Sequence, residues 1–201
     1  MANKAQQETS YWELFNNQIT RLRDRGIQEE IIEILLFQKS SVIKKAREMV
    51  IGKGNIPFLP IITPFYLGYY GLMSKVGNGG YIPFPSIAEE TKYYTTEASL
   101  NGPRLYYIYD VETGEETLDK SPKEAQKIFN DNEWIPLTTV EVINLCIIVD
   151  VLPRHSVCAG SGLGLSTTAV CLDDSRTPSL QVLNSERKDH YLGSPSCGSR
   201  G

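Results

Sequence analysis

The chain has 201 residues, 41% hydrophobic and 22% charged, with a net charge of −4 at neutral pH. At roughly 150 residues per domain this is one domain, apolar enough to build a core and too apolar for a disordered chain. The balance excludes a collagen, a coiled-coil rod and a disulfide miniprotein, and its acidity argues against a general nucleic-acid binder.

Ser10-Tyr11-Trp12-Glu13 has the form of a capping box and predicts a helix starting there. Its stripe is Trp12, Phe15, Ile19 and Leu22, flanked by Tyr11 and Leu14, and Gly26 marks its end. A second helix is predicted from about Gln28 to Val50. Glu29, Glu30 and Glu33 at its start and Lys44, Lys45 and Arg47 at its end suit the helix macrodipole. Its stripe of Ile27, Ile31, Ile34, Leu35, Val42, Ala46 and Met49 is widened by Ile32, Leu36 and Ile43, which implies cover on more than one side.

Ile56 to Thr63 reads as an edge strand, because Pro57 and Pro60 cannot donate to a central ladder. The uncharged run from Asn55 to Ser74 is long enough to span a bilayer. Its prolines make it instead a strand, a turn and a short helix opening at Thr63-Pro64 and reaching about Val76. Residues 81–103 read as irregular. Leu105 to Val111 is the clearest strand, Glu112 to Glu115 a hairpin turn, and Glu116-Thr117-Leu118 the start of the return strand.

Ser121-Pro122-Lys123-Glu124 is a second capping box, and Thr138 with Glu141 a third. The latter opens a helix through Val140, Val142, Ile143, Leu145, Cys146, Ile147, Ile148 and Val149. It is apolar nearly all round and so is the expected core centre. Short strands are expected at about 168–172 and 179–183, and an irregular end from Tyr191 to Gly201. The fold class is therefore α+β, a single domain over 1–201. A helical N-terminal segment (1–53) packs on a mixed α/β body (54–201) with one small mixed β-sheet and a central buried helix.

Chemistry is sparse. The chain holds only two histidines, His155 and His190, so any nucleophile–histidine scheme must use one of them. Cys197, between Ser196 and Gly198 and near Arg200, is the weak catalytic candidate to pair with either, since a cationic neighbour favours thiolate. The bland alternative is a closing segment in which Arg200 bonds carbonyls or an acidic side chain. A zinc-stabilised domain built on Cys158, Cys171, Cys197 and a histidine can be drawn, but the spacings match no known knuckle. No metal site and no cofactor is expected. The Gly160-Ser161-Gly162-Leu163-Gly164 run lacks the Lys-Ser/Thr of a phosphate loop and reads as a flexible turn.

Nine of the eleven tyrosines fall between Tyr66 and Tyr109. Tyrosine offers an apolar body with a polar tip, which suits either a sheet rim or a ligand groove. Tyr66, Tyr70, Tyr107, Tyr109 and Arg200 are the candidate ligand contacts. The first two helices could form a helix-turn-helix, but Glu29, Glu30 and Glu33 would meet phosphates, which disfavours nucleic acid. Residues 21–53 carry eight basic and five acidic side chains, residues 104–150 four and ten, so the two segments could attract each other.

Several short stretches, in this order, carry a resemblance: Ile56-Pro57-Phe58-Leu59-Pro60, Tyr66-Leu67-Gly68 with Leu72-Met73-Ser74, Tyr107 to Gly114, Ser121 to Ala125, Leu137 to Glu141, and Cys197 to Arg200. Through them the chain resembles a bacterial family catalogued as a domain of unknown function. The resemblance implies a bacterial cytosolic protein and supplies no activity or site. The polar start without an apolar signal region and four cysteines expected as free thiols also point to a cytoplasmic protein. The expected function is a non-catalytic binding or interaction module with a Tyr-rich, Gly-rich site for an unknown ligand or protein partner, away from membranes. A thiol-dependent enzyme and a zinc-stabilised domain remain the alternatives, so whether the chain is an enzyme stays open.

Overall fold

The computed structural model describes residues 2–83, 104–152, 156–163, 166–188 and 190–201, with backbone alone for 2–9 and 156–163. The elements run α1 (Ala2–Asp24), α2 (Glu29–Glu48), β1 (Ile56–Ile62), α3 (Pro64–Met73), β2 (Leu105–Glu112) and α4 (Pro122–Asn132). They continue as β3 (Ile135–Pro136), α5 (Thr139–Ile148), β4 (Ser156–Leu163), β5 (Ser166–Leu172), β6 (Pro178–Asn184), β7 (Leu192–Gly193) and β8 (Ser196–Arg200). The class is α+β, as expected.

Helix α1 begins well ahead of Ser10, because the residues before it include Ala, Lys, Gln and Glu and no Pro or Gly, and propensity carries the helix through. Its buried stripe keeps Phe15, Ile19 and Leu22 as expected and exchanges Trp12 for the flanking Tyr11. Tyr11, Phe15, Gln18, Ile19 and Leu22 are buried, while Trp12 faces outward under the Lys39 ammonium, 4.0 Å from the ring centre. The helix ends as expected at Gly26, whose φ of 70° lets its N–H donate to the Arg23 carbonyl and the Ile27 N–H to that of Leu22. Helix α2 buries Ile31, Ile32, Leu35, Val42, Ile43 and Ala46. As expected, the helix is covered on more than one side, by α1 and by β1 and β2, and the widening residues Ile32 and Ile43 are buried, while Ile34, Leu36 and Phe37 are exposed.

Among the described residues two four-stranded sheets stand in place of the single mixed sheet. The first, in order β1-β2-β8-β3, is antiparallel throughout; the second, β6-β5-β4-β7, is mixed through the parallel β4–β7 pair. Strand β1 lies at an edge, as its prolines require. The expected return strand after Glu112 does not form. The Glu112 carboxylate accepts from the Gly114 and Glu116 N–H groups, and Thr117 bonds both the N–H and the carbonyl of Ser194. The place beside β2 is taken by the C-terminal strand β8, a segment expected to be irregular.

Helix α5 lies between the sheets and packs against α1, α3, β1, β4 and β5. Every residue from Thr139 to Ile147 is buried, with Ile143 and Ile147 fully so. Each such aliphatic side chain contributes about 1.5–3 kcal/mol. Both its capping-box bonds are made, as are those of Ser121 and Glu124. Its one buried amide, Asn144, closes the open edge of β1: Oδ1 accepts from the Ile62 N–H, and Nδ2 donates to the Ile62 and Val140 carbonyls. Gln18 of α1 donates likewise to the Phe58 carbonyl.

Asn144→Leu keeps the volume and strips these bonds, leaving the Ile62 N–H and carbonyl unpaired in the interior. The expected loss is roughly 2–4 kcal/mol in a urea titration. An unchanged midpoint would show that this amide does not hold the edge.

Candidate functional site

The C-terminal candidates converge on a buried carboxylate. Glu141 stands in the first turn of α5 with its side chain fully enclosed. Its Oε1 accepts from Arg200 Nε at 2.6 Å and from the Tyr106 hydroxyl at 3.1 Å. Its Oε2 accepts from Arg200 Nη2 at 2.8 Å and from the Thr138 N–H at 2.7 Å. Arg200 Nη2 also donates to the Pro136 carbonyl. The guanidinium is partly buried, which opposes its charge, yet its bonds to Glu141 outweigh this and hold its pKa above the ordinary value. With four donors the carboxylate has no lone pair left for acid–base work. Arg200 closes the structure at this point.

Cys197 sits beside this pair on β8, facing Val111 and Ile135 in register. Burial pushes its thiol up to about 12, and the nearness of Arg200 does not reverse this. A nucleophilic thiolate needs the opposite environment. His190 is almost fully exposed, 3.9 Å from Asp119, and His155 lies outside the described residues. Cys146 and Cys197 are free thiols, and the Cys158 side chain lies outside the described residues, as does the Gly160–Gly164 side-chain environment. Among the described residues no group of three or more His, Cys, Asp or Glu could hold a metal, and no helix is long and apolar enough to cross a membrane.

The tyrosine candidates do not gather on one surface. Tyr107 and Tyr109 are 3% and 4% exposed, and Tyr107 stacks on Phe15 and meets Phe58 edge-on. Lys45 lies over the Tyr109 ring at 4.4 Å. Tyr66 is partly buried against Phe65, and Tyr70 is half exposed. The alternation of β2 explains the outcome: both faces of this strand are covered, so its tyrosines are core residues whichever way they point.

The concavity lies elsewhere. A cleft of about 720 Å³ opens where the C-terminal ends of α1 and α5 meet the β5–β6 turn and the loop after α3. Arg21 and Arg25 come from α1 and its end, Arg176 from the turn, and Gly77-Asn78-Gly79 from the loop; Cys146, Val149, Leu152, Leu172 and Pro178 supply the apolar part. The loop is pinned by the Tyr81 hydroxyl, which donates to Asp173, and by paired backbone bonds of Tyr81 with Pro178 and Leu180. Gly80 is required for this approach, since a Cβ there would stand 2.6 Å from the Met73 carbonyl oxygen. In the turn, the Asp173 carboxylate accepts from the Ser175 and Thr177 N–H groups. The Thr177 bond foremost holds its pKa below the ordinary value.

Two carboxylates, Asp24 and Asp150, also line the cleft, and Asp150 pairs with Arg21 at 2.9 Å. That bond is a direct link between the basic and acidic segments of the sequence. The Nε atoms of Arg21 and Arg25 are buried without a hydrogen-bond partner. None of the five ligand-contact candidates lines this cleft. Its arginines come from segments some 150 residues apart, and no local motif marks them; the signal nearest to one is the turn-forming run Asp173-Asp174-Ser175-Arg176-Thr177-Pro178. Comparison with known protein families, curated proteins and solved structures finds no match for this chain.

Two outcomes test the C-terminal cluster. Arg200→Met leaves Glu141 buried without its counter-charge and is expected to cost about 3–5 kcal/mol in chemical denaturation, with part of the loss recovered when Glu141→Leu is added. An Arg200→Met variant as stable as the parent would remove the cluster from the fold's support. Cys197 is expected to resist iodoacetamide in the native protein at mildly alkaline pH and to react once urea unfolds the chain, followed by mass spectrometry of the alkylated peptide. Rapid native labelling would restore the thiolate.

Proposed function

We propose that the chain is a cytoplasmic, non-catalytic binding module whose ligand is a small anionic molecule, carrying phosphate or carboxylate oxygens, held in the arginine-lined cleft. The observation that carries this reading is the cationic wall of the concavity, Arg21, Arg25 and Arg176. A guanidinium without a counter-charge offers charge-assisted donors that an arriving oxyanion can accept from. Arg21 is already committed through its Nη2 to Asp150. Arg25 and Arg176 have no side-chain partner among the described residues, so they are the groups a ligand would recruit. The apolar floor suits a molecule with an organic body rather than a bare ion.

The free, buried thiols accord with a reducing compartment. The bacterial setting implied by the motif resemblance accords with the same compartment. The absence of a competent thiolate at Cys197 and the saturated carboxylate at Glu141 favour binding over catalysis.

Thermal unfolding with inorganic phosphate, citrate and a nucleoside monophosphate, each against a neutral sugar, tests the reading. At least one anion is expected to raise Tm by several degrees at saturation, an effect that shrinks with added salt. Arg25→Gln and Arg176→Gln are each expected to weaken that anion about tenfold or more. No shift with any anion, or an equal shift in both variants, would overturn the assignment.

A further inference from the structure

We propose that a second copy of the chain docks on the outward face of α2, antiparallel, about a two-fold axis passing beside Phe37. This face is remote in kind from the cleft: it is a convex helix surface centred on an aromatic ring. Phe37 is 92% exposed, with Ile34 at 41% and Leu36 at 38% beside it. Ile34 and Leu36 flank the ring at about 60° and 100° on opposite sides of the helix, so Phe37 is the centre of the exposed apolar surface of α2.

The charges around Phe37 determine the occupant. At 100° per residue, Glu30, Phe37 and Lys44 fall within about 20° of one line along the helix. Glu30 and Lys44 lie seven residues to either side of the ring, roughly 10 Å each way. An antiparallel pair with its axis at Phe37 brings residue 37 of one chain against residue 37 of its partner. It also sets Glu30 against the partner's Lys44, and that pairing occurs twice. Glu33 then faces the partner's Ser41, and Ile34 the partner's Ser40, so no like charges meet along the line. A parallel pairing would set Glu30 on Glu30 and Lys44 on Lys44. Neither Glu30 nor Lys44 has an ion-pair partner within its own chain among the described residues. Both are exposed and stand on a rigid helix whose opposite side is locked in the core. The apolar centre is small, so the dimer is expected to be reversible and concentration-dependent rather than obligate.

Sedimentation velocity across the micromolar to sub-millimolar range reads the association directly. The parent chain is expected to show a monomer–dimer equilibrium. Phe37→Glu is expected to abolish it with no change in Tm or helical circular dichroism, because the ring touches little of its own chain. Glu30→Lys and Lys44→Glu each set like charges against each other and are expected to weaken the dimer roughly three- to tenfold at low salt. The two swaps together restore opposite charges and are expected to return the dimer to near its original strength. That recovery belongs to the antiparallel arrangement, so a double swap no stronger than the single ones would overturn it. A parent chain that stays monomeric at every concentration, or a dimer untouched by Phe37→Glu, would overturn the docking face itself. Binding of the anion in the cleft is independent of either result.

Discussion

A helix with no solvent-facing side must satisfy everything it carries from its neighbours, and α5 carries Thr139 and two larger polar groups three residues apart. Glu141 and Asn144 lie on one side of the helix, and both are completely buried. Asn144 binds the backbone of β1, while Glu141 takes the Arg200 guanidinium from β8 and the Tyr106 hydroxyl from β2. Arg200 reaches on to the Pro136 carbonyl of β3. Every strand of the first sheet is thus tied to one turn of one helix. Thr139, at the start of the same turn, meets the Thr168 hydroxyl at 2.8 Å and joins the second sheet to the arrangement. The apolar residues of α5 drive its burial, and these few polar atoms decide which strands surround it.

That division explains what could be read from the amino-acid order. The all-round apolar segment after Thr138, the capping boxes at Ser121 and Thr138, the Gly26 stop and the proline-marked edge strand are local patterns, and each of these elements appears where its pattern stands. The misplacements have one physical source in common. Ser-Cys-Gly-Ser-Arg has poor strand propensity, and it becomes β8 because β2 offers it a ladder and Glu141 offers it a counter-charge, both far away in sequence. With β8 in that place, the segment after Glu112 has no strand to pair with and stays a turn. Likewise Tyr11 takes the buried place expected for Trp12 because Phe58, distant in sequence, receives the Tyr11 and Phe15 rings. Propensity and periodicity report the segment alone; these outcomes were decided by its neighbours.

The site was less legible than the fold. Tyrosines clustered in sequence were natural groove candidates, but clustering along a central strand places them on two covered faces. The cleft instead takes a few residues from each of four segments far apart in sequence. Helix ends and tight turns meet there, and such junctions expose unpaired backbone and long cationic side chains. Arg21 complements the C-terminal end of α1 and binds Asp150, a role the helix macrodipole already assigns to it. Arg25, beside the same helix end, and Arg176, in the turn, have no side-chain partner among the described residues. That sets them apart from an arginine whose place its own fold explains.

The Glu141–Arg200 pair also bears on specificity. Enclosing a carboxylate costs several kcal/mol in lost hydration, and a hydrophobic pair of similar volume would often stabilise as well or better. What the ion pair adds is a penalty for error. Strand β8 is five residues long and weakly strand-forming, so its ladder alone discriminates poorly between registers. A slip of one residue would carry the Arg200 side chain to the opposite face of the sheet. Glu141 would then stand charged in the interior, with its remaining donors, the Tyr106 hydroxyl and the Thr138 N–H, unable to replace a guanidinium. The correct register is therefore separated from its neighbours by the cost of an unpaired buried charge, a larger gap than side-chain packing of Ser196, Cys197 and Ser199 could provide. A buried pair that is a poor source of net stability is in this place an effective means of making the closing strand choose one position.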